Sequence, residues 1–256
     1  DNIKTKRPDN MDSYDLVLQG LEYAKKGNVM KENTQKAVEL FEKAIELEPS
    51  YARAHAWRAC TLSNLADWEE SPDPKIFENA IESAKLALEL DSNEPEVHRI
   101  MGALKLWFER DHEMARYHFE KARELCPSDV FIISRYAIML IYFAEFDKAL
   151  EELERAKRLD PFSHDLLFGP EAICHYWLDN PEEALKTFKK VKVKKNYLFY
   201  IALAYKKSGD SDKASESLKE AYALTGMNND SFIGSQPFKD QEFTSKLKSE
   251  LGNITG

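Results

Sequence analysis

The sequence has little of what turn-rich, cross-linked or membrane-spanning proteins need. Its 256 residues include only nine glycines, ten prolines and three cysteines. Few glycines and prolines disfavour a sheet joined by many tight turns, and three dispersed cysteines are too few for a disulfide framework. No apolar run reaches the roughly 18 residues of a membrane-spanning helix. We therefore expect a soluble cytoplasmic protein whose cysteines are small core residues of a reducing compartment.

Positive charge is also in deficit, with 36 lysines and arginines against 45 aspartates and glutamates and a net charge of −9. An acidic body repels phosphate backbones, which disfavours nucleic acid as a partner. A local exception is the run of six lysines from Lys186 to Lys195, which precedes several aromatic residues. It is either a patch that contacts phosphates or the solvated face of a helix, and we favour the solvated face.

Patterns typical of catalysis and metal binding are missing. The sequence has no Gly-rich phosphate loop, no nucleophile elbow, no Cys-x-x-Cys and no His-x-x-x-His. We therefore expect no enzyme activity, no cofactor and no metal in this chain, and any catalytic domain would lie outside it. His55 and His98 hold matching places in neighbouring predicted helices, which favours a repeated structural role over metal coordination.

What the sequence does have is a recurring pattern of small and large side chains. A small residue is followed by an apolar residue four positions later and by another apolar, usually small, residue three positions after that. Offsets of four and seven place all three residues on one helical face. The copies are Ala37/Phe41/Ala44, Ala80/Ala84/Ala87, Ala115/Phe119/Ala122, Ala149/Leu153/Ala156, Ala184/Phe188/Val191 and Ala214/Leu218/Ala221.

A second amphipathic helix precedes each copy and is centred on a small residue. Antiparallel helices joined by a short turn approach closely only where the facing side chains are small. The pattern therefore predicts six helical hairpins, at residues 12–49, 50–92, 93–127, 128–161, 162–192 and 193–226. Residues 1–11 would be a linker and 227–256 a C-terminal cap. The central small residues are Gly20, Ala59, Gly102, Ala137, Ala172 and Ala202.

The pattern resembles the tetratricopeptide repeat (TPR) family over roughly residues 12–226, and the best single match runs from Ala137 to Pro161. The resemblance implies an all-α, right-handed superhelical solenoid of about six hairpins plus a C-terminal capping helix. It also implies that the first helices line a concave surface. The second repeat departs from the pattern by an insertion around residues 68–74, after which we expect Asp73 to cap a helix beginning at Pro74.

Two further segments carry local expectations. Gly169-Pro170 falls within the first helix of the fifth repeat, where we expect that helix to begin at Pro170, with residues 166–168 as a loop. The alternative is a break in the helix that widens the groove beside Trp177. Near the end of the chain, we expect residues 236–238 to pack back on the last repeat and residues 241–251 to form a terminal helix.

Equivalent positions on the predicted first helices place Trp107, Tyr142 and Trp177 in a row along the concave surface. Two interpretations stay open: the rings anchor a peptide or partner helix, or they fill gaps between neighbouring helices. Lysines and asparagine are absent from the places where some members of the family bind C-terminal carboxylates, which disfavours that ligand. The candidate partner-binding residues are Arg53, Asn64, Arg99, Trp107, Ser134, Ile138, Tyr142, Ile173, Tyr176 and Trp177.

The resemblance implies a non-catalytic protein–protein interaction module that binds a peptide or partner helix in its groove. Short strings, including residues 7–16, 51–55 and 237–240, resemble the repeat region that follows bacterial class III adenylate cyclase domains and some winged-helix regulators. The alternative function is therefore a regulatory or self-association region of such a protein, and a third is a small-molecule sensor. Because the chain begins Asp1-Asn2-Ile3 without methionine, we interpret it as an excerpt of a longer or processed protein.

Overall fold

A computed structural model describes residues 9–27, 30–66, 73–162 and 165–254. Every regular element in these ranges is helical. A π-helical turn spans Lys105–Glu109, and a 3₁₀ turn spans Lys194–Tyr197. The α-helices are α1 (Met11–Gly27), α2 (Lys31–Leu47), α3 (Ala52–Ala66), α4 (Pro74–Leu90), α5 (Pro95–Leu104), α6 (His112–Leu125), α7 (Val130–Tyr142), α8 (Phe146–Leu159), α9 (Asp165–Trp177), α10 (Pro181–Phe188), α11 (Leu198–Lys207), α12 (Ser211–Thr225), α13 (Asn229–Ser235) and α14 (Gln241–Gly252).

The first twelve helices pair into six consecutive hairpins, α1 with α2 through to α11 with α12. The all-α fold class of six hairpins is thus confirmed. The chain divides into two compact units, one up to Pro127 with α1–α6 and one from Ser128 with α7–α14. The first helices of neighbouring hairpins also touch within each unit, α3 with α1 and α5, and α9 with α7 and α11.

The recurring small and large residues form the hairpin cores. All eighteen residues of the six predicted copies are buried, and so are the six central small residues of the first helices. The contacts are close enough to exclude a larger residue. A Cβ atom at Gly20 would lie 2.6 Å from the Phe41 ring, and one at Gly102 would lie 2.9 Å from the Phe119 ring. The large residue of each of these second helices therefore rests directly on the backbone of the first.

Helix starts follow the local sequence. The Asp73 side chain accepts a hydrogen bond from the backbone N–H of Lys75 at 3.0 Å, and Pro74 is the first residue of α4, as predicted. Asp111, Asp129 and Asp210 cap α6, α7 and α12 in a similar way. Each carboxylate satisfies a backbone N–H that has no partner within its helix. The insertion at residues 67–72 lies outside the described residues.

The predicted start of the first helix in the fifth repeat was wrong. Helix α9 begins at Asp165, and Pro170 lies inside it instead of opening it. At this position proline cannot donate a hydrogen bond to the carbonyl of Leu166, and its ring crowds that carbonyl. Gly169 has a different role, since a Cβ atom there would lie 2.1 Å from the Tyr197 ring. Glycine is thus needed for Tyr197 to pack against the backbone of α9.

The second helix of the fifth repeat is shorter than its pattern predicts. Helix α10 ends at Phe188, so Val191 follows the helix, although its side chain is still buried. Among the described helices, none combines the length and the apolar character needed to cross a membrane.

Close packing at Gly102 predicts a loss of stability when a methyl group is added there. Gly102→Ala should lower the free energy of unfolding by about 1–3 kcal/mol, because the buried Phe119 ring must move to admit it. Gly234→Ala is the control, since no atom outside its own helix lies within 4 Å of a Cβ at that position. Urea unfolding followed by circular dichroism measures both. Equal midpoints for Gly102→Ala and the wild type would contradict the close contact.

Candidate functional site

The first-helix surface of the N-terminal unit has a stripe of partly exposed side chains on α3. Arg53, Trp57, Cys60 and Asn64 follow one another at spacings of four, three and four residues, which places them on one face of the helix. All four are partly exposed, whereas Ala52, Ala56 and Ala59 are buried. We call these four residues the α3 stripe.

The arginine of the stripe is held by an ion pair within the unit. Arg53 Nη2 lies 2.9 Å from Glu94 Oε1, and the arginine side chain keeps 29% exposure while Glu94 keeps 4%. Glu94 also caps α5 by accepting a hydrogen bond from the backbone N–H of Glu96. Burial raises the pKa of Glu94, and the Arg53 guanidinium opposes that rise. The pair therefore fixes Arg53 beside the start of the next first helix.

Arg99 differs from the role predicted for it. Its side chain is 3% exposed, and its Nε donates to Glu96 Oε2 at 2.6 Å. The guanidinium carbon lies 5.1 Å from the centre of the Trp57 ring, a cation–π distance. Phe41 stacks on Trp57 at 6.5 Å. Arg99 is therefore not accessible to a partner in this structure, and it supports Trp57 of the α3 stripe.

Trp107 lies in the π-helical turn at the end of α5 and is partly exposed. Lys105 and Glu109 form an ion pair of 2.6 Å across this turn, and Arg110 follows with a left-handed φ of 56°. A π turn holds one more residue than an α turn and rotates the residues around it. Leu106 is fully buried, as are Ile141 and Tyr176 at the equivalent positions of α7 and α9.

In the C-terminal unit, the first-helix surface is covered by the chain itself. The covering residues are Gln236–Ile254, which we call the C-terminal segment. The Phe238 ring meets Tyr142 at 5.2 Å and Trp177 at 5.4 Å, edge to face. Phe243 meets Trp177 at 5.1 Å. The predicted aromatic row of this unit thus contacts the segment directly.

Hydrogen bonds hold the start of the segment against two hairpins. The side-chain oxygen of Gln236 accepts from the hydroxyl of Tyr142 at 3.2 Å and from that of Tyr200 at 3.3 Å. The backbone N–H of Lys239 donates to the carbonyl of Tyr142 at 2.9 Å. Residues 236–238 therefore pack back as predicted, but they reach the fourth and fifth repeats as well as the last.

A polar contact holds the far end of the segment. The fully buried Tyr176 donates its hydroxyl to the carboxylate of Glu250, and Lys207 Nζ lies 3.9 Å from Glu250 Oε1. Lys207 also donates to the carbonyl of Tyr176 at 3.2 Å. Burial and the neighbouring carboxylate raise the pKa of the Tyr176 hydroxyl. The hydroxyl therefore stays protonated at physiological pH and donates its hydrogen bond to Glu250.

The other predicted site residues of this unit lie on the same helices. Ser134 is buried and donates to the carbonyl of Phe131 at 2.7 Å, while Ile138 and Ile173 are partly exposed. Trp177 keeps 6% exposure. Contact of these residues with a partner stays a prediction, since the C-terminal segment lies on the Tyr142 and Trp177 rings. Sequence reasoning missed Phe243 and Glu250 because neither belongs to the repeat pattern.

The histidines have repeated structural contacts. His55 Nε2 lies 2.8 Å from the carbonyl of Pro49, and His98 Nε2 lies 2.9 Å from that of Ser92. In addition, His98 Nδ1 lies 3.0 Å from Nδ1 of the buried His118. Within the described ranges, no cluster of three or more histidine, cysteine, aspartate or glutamate residues could hold a metal ion.

All six lysines of the run from Lys186 to Lys195 are exposed. Only Lys186 lies in α10, where it pairs with Glu183 at 3.1 Å. The run therefore continues from the end of α10 through a turn and into the 3₁₀ turn, and it does not follow one helical face.

Two stretches of the sequence match tetratricopeptide repeat models, residues 40–71 in the first unit and residues 196–226 in the second. Each of these two stretches is therefore similar to a tetratricopeptide repeat. The first TPR match includes the α3 stripe, and the second covers most of the sixth hairpin. No curated protein sequence matches the chain significantly.

Solved structures share the fold at low sequence identity. PilW, a widely conserved type IV pilus biogenesis factor, is 18% identical, with 86% of this chain and 96% of PilW covered and a TM-score of 0.60. PilF of Pseudomonas aeruginosa is 20% identical, with 92% and 98% covered and a TM-score of 0.56. A chain of the APC/C hetero-tetramer Cut9–Hcn1 is 14% identical, with 96% of this chain and 45% of that chain covered and a TM-score of 0.65. At these identities the likeness shows the fold alone.

The buried histidine pair predicts a stability that falls on acidification. Burial, followed by the His98 ring, lowers the pKa of His118 to about 4, whereas an unfolded histidine titrates near 6.5. Its contribution is complete above about pH 6.5 and is lost as the pH falls towards 4, because only the unfolded chain then takes up the proton. At pH 5 the loss should be about 2 kcal/mol.

Urea unfolding at pH 7.5 and pH 5 measures this loss. His118→Gln should reduce the difference between the two pH values, and Met114→Leu, a non-titrating change on the same helix, should leave it unchanged. An identical pH dependence in His118→Gln and the wild type would show that the pair does not cause it.

Proposed function

We propose that this chain is a non-catalytic interaction module that binds a peptide segment of another protein on the first-helix surface of its N-terminal unit. The observation that carries the proposal is the α3 stripe, a partly exposed row of guanidinium, indole, thiol and amide groups on one helical face. TPR folds generally mediate protein–protein interactions. The similar Cut9–Hcn1 structure is itself a hetero-tetramer, which supports this general role.

The stripe has the properties of a preorganised binding surface. Trp57 is held between Phe41 and Arg99, so little side-chain entropy remains to be lost on binding. Partly exposed tryptophan and arginine are also the residue types that dominate binding energy at interfaces. A guanidinium has five N–H donors and the Glu94 contact uses one, so Arg53 can also donate to a peptide carbonyl. Asn64 offers both a donor and an acceptor.

The narrower resemblance to the region beside adenylate cyclases has no support in the matched models or structures. A regulatory or self-association role, the small-molecule sensor and a cytoplasmic location stay predictions from the sequence. Sedimentation of the chain at high concentration tests self-association, since a monomer would remove that hypothesis.

Position-specific crosslinking tests the proposed surface. A photo-reactive residue in place of Asn64 should capture a partner that the same residue in place of Glu82 does not, because Glu82 lies exposed on the second helix α4. With the captured protein purified, Asn64→Ala combined with Trp107→Ala should weaken binding at least tenfold, and Glu82→Ala should leave it unchanged. Equal weakening by both variants, or capture only from position 82, would contradict the proposal.

A further inference from the structure

The C-terminal segment contacts its groove as a ligand would, through a few long side chains. Its two phenylalanines are five residues apart, and both meet Trp177. Glu250 follows seven residues after Phe243 and accepts the Tyr176 hydroxyl. Together with Gln236, these residues form a spaced set of one amide, two aromatic rings and one carboxylate that contact the hairpins. Leu247 and Leu251 of the segment are also buried.

The groove that receives them is assembled from the hairpins alone. Phe146 and Trp177 stack at 5.8 Å with an angle of 11° between the rings, and Tyr176 meets Tyr200 edge to face at 5.7 Å. Lys207 Nζ lies 4.4 Å from the centre of the Tyr176 ring. None of these contacts involves the segment, so the site is preorganised for an occupant.

Each hairpin of this unit also has a core made of its own repeat residues. Ala149, Leu153 and Ala156 of α8 are buried against α7 through the repeat pattern. Helix α13, which precedes the segment, has its own anchor, since Phe232 stacks on Phe199 at 4.1 Å. Release of the segment beyond Ser235 would therefore leave both the hairpins and α13 in place.

We propose that the groove of the C-terminal unit is a second recognition site, and that the C-terminal segment is its displaceable intramolecular occupant. The site takes a partner segment in which a short non-helical stretch leads into a helix, as in residues 236–252. Its spacing is glutamine, an aromatic residue two positions on, a second aromatic five after that, and a carboxylate seven further on. Tyr176 and Lys207 recognise the carboxylate, and Tyr142, Phe146 and Trp177 receive the rings. This site is separate from the α3 stripe, so either proposal can fail without the other.

A released variant of the full chain tests the proposal. Phe238→Ala with Phe243→Ala should free the groove, so that a labelled peptide of the sequence of residues 236–254 binds this variant at least tenfold more tightly than the wild type, whose tethered segment competes. A peptide carrying Glu250→Gln should bind the variant at least tenfold more weakly than the parent peptide. The matched control is Lys248→Ala in the full chain, at an exposed position of α14. This variant should bind the parent peptide with the same affinity as the wild-type chain does.

Failure of the parent peptide to bind a folded double variant would overturn the proposal and make the segment a permanent part of the fold. If the double variant does not fold, amide hydrogen exchange of the wild type decides instead. A displaceable segment would be supported if the amides of α14 exchange through an opening whose free energy is lower than that of the opening that exposes the amides of α7–α12. Exchange only through global unfolding would overturn it, as would a wild-type dimer that exchanges segments between two copies.

Discussion

Contact between a small residue on one helix and a large apolar residue on the next is the interaction on which the other features depend. Phe41 rests on Gly20 and Phe119 rests on Gly102, both closer than a Cβ atom would allow. The matching positions of the other hairpins are buried as well, although the second hairpin has Ala84 in place of the large residue. The opposite face of each first helix is left to neighbouring first helices and, in our proposals, to peptide segments. The α3 stripe and the groove of the C-terminal unit are two instances of that face.

Features that depend on periodicity could be predicted from the sequence. The buried triplets and the Asp73 cap follow from helical spacing and from the hydrogen bonds that helix ends require. Two local exceptions could not be predicted from spacing. The π turn at Lys105–Glu109 inserts an extra residue without a distinctive sequence. Pro170 lies inside α9, although proline is typical of a helix start.

The candidate site was only partly predictable for a different reason. Helical spacing placed Tyr142 and Trp177 on the inner face, but their contact with Phe238 depends on a few side chains far away in the sequence. Such contacts leave no periodic signal. Arg99 shows the same limit, because only the structure reveals that its charge is paired with Glu96 beneath Trp57. The two units therefore differ in the accessibility of their tryptophans, since Trp57 is partly exposed and Trp177 is buried.

Chemical labelling of tryptophan in the native full-length chain, read residue by residue by mass spectrometry, tests this difference most directly. Trp57 and Trp107 are partly exposed, whereas Trp177 keeps only 6% exposure beneath the C-terminal segment. The account predicts modification of Trp57 and Trp107 with protection of Trp177. Modification of Trp177 as fast as that of Trp107 would show that the segment does not cover the groove.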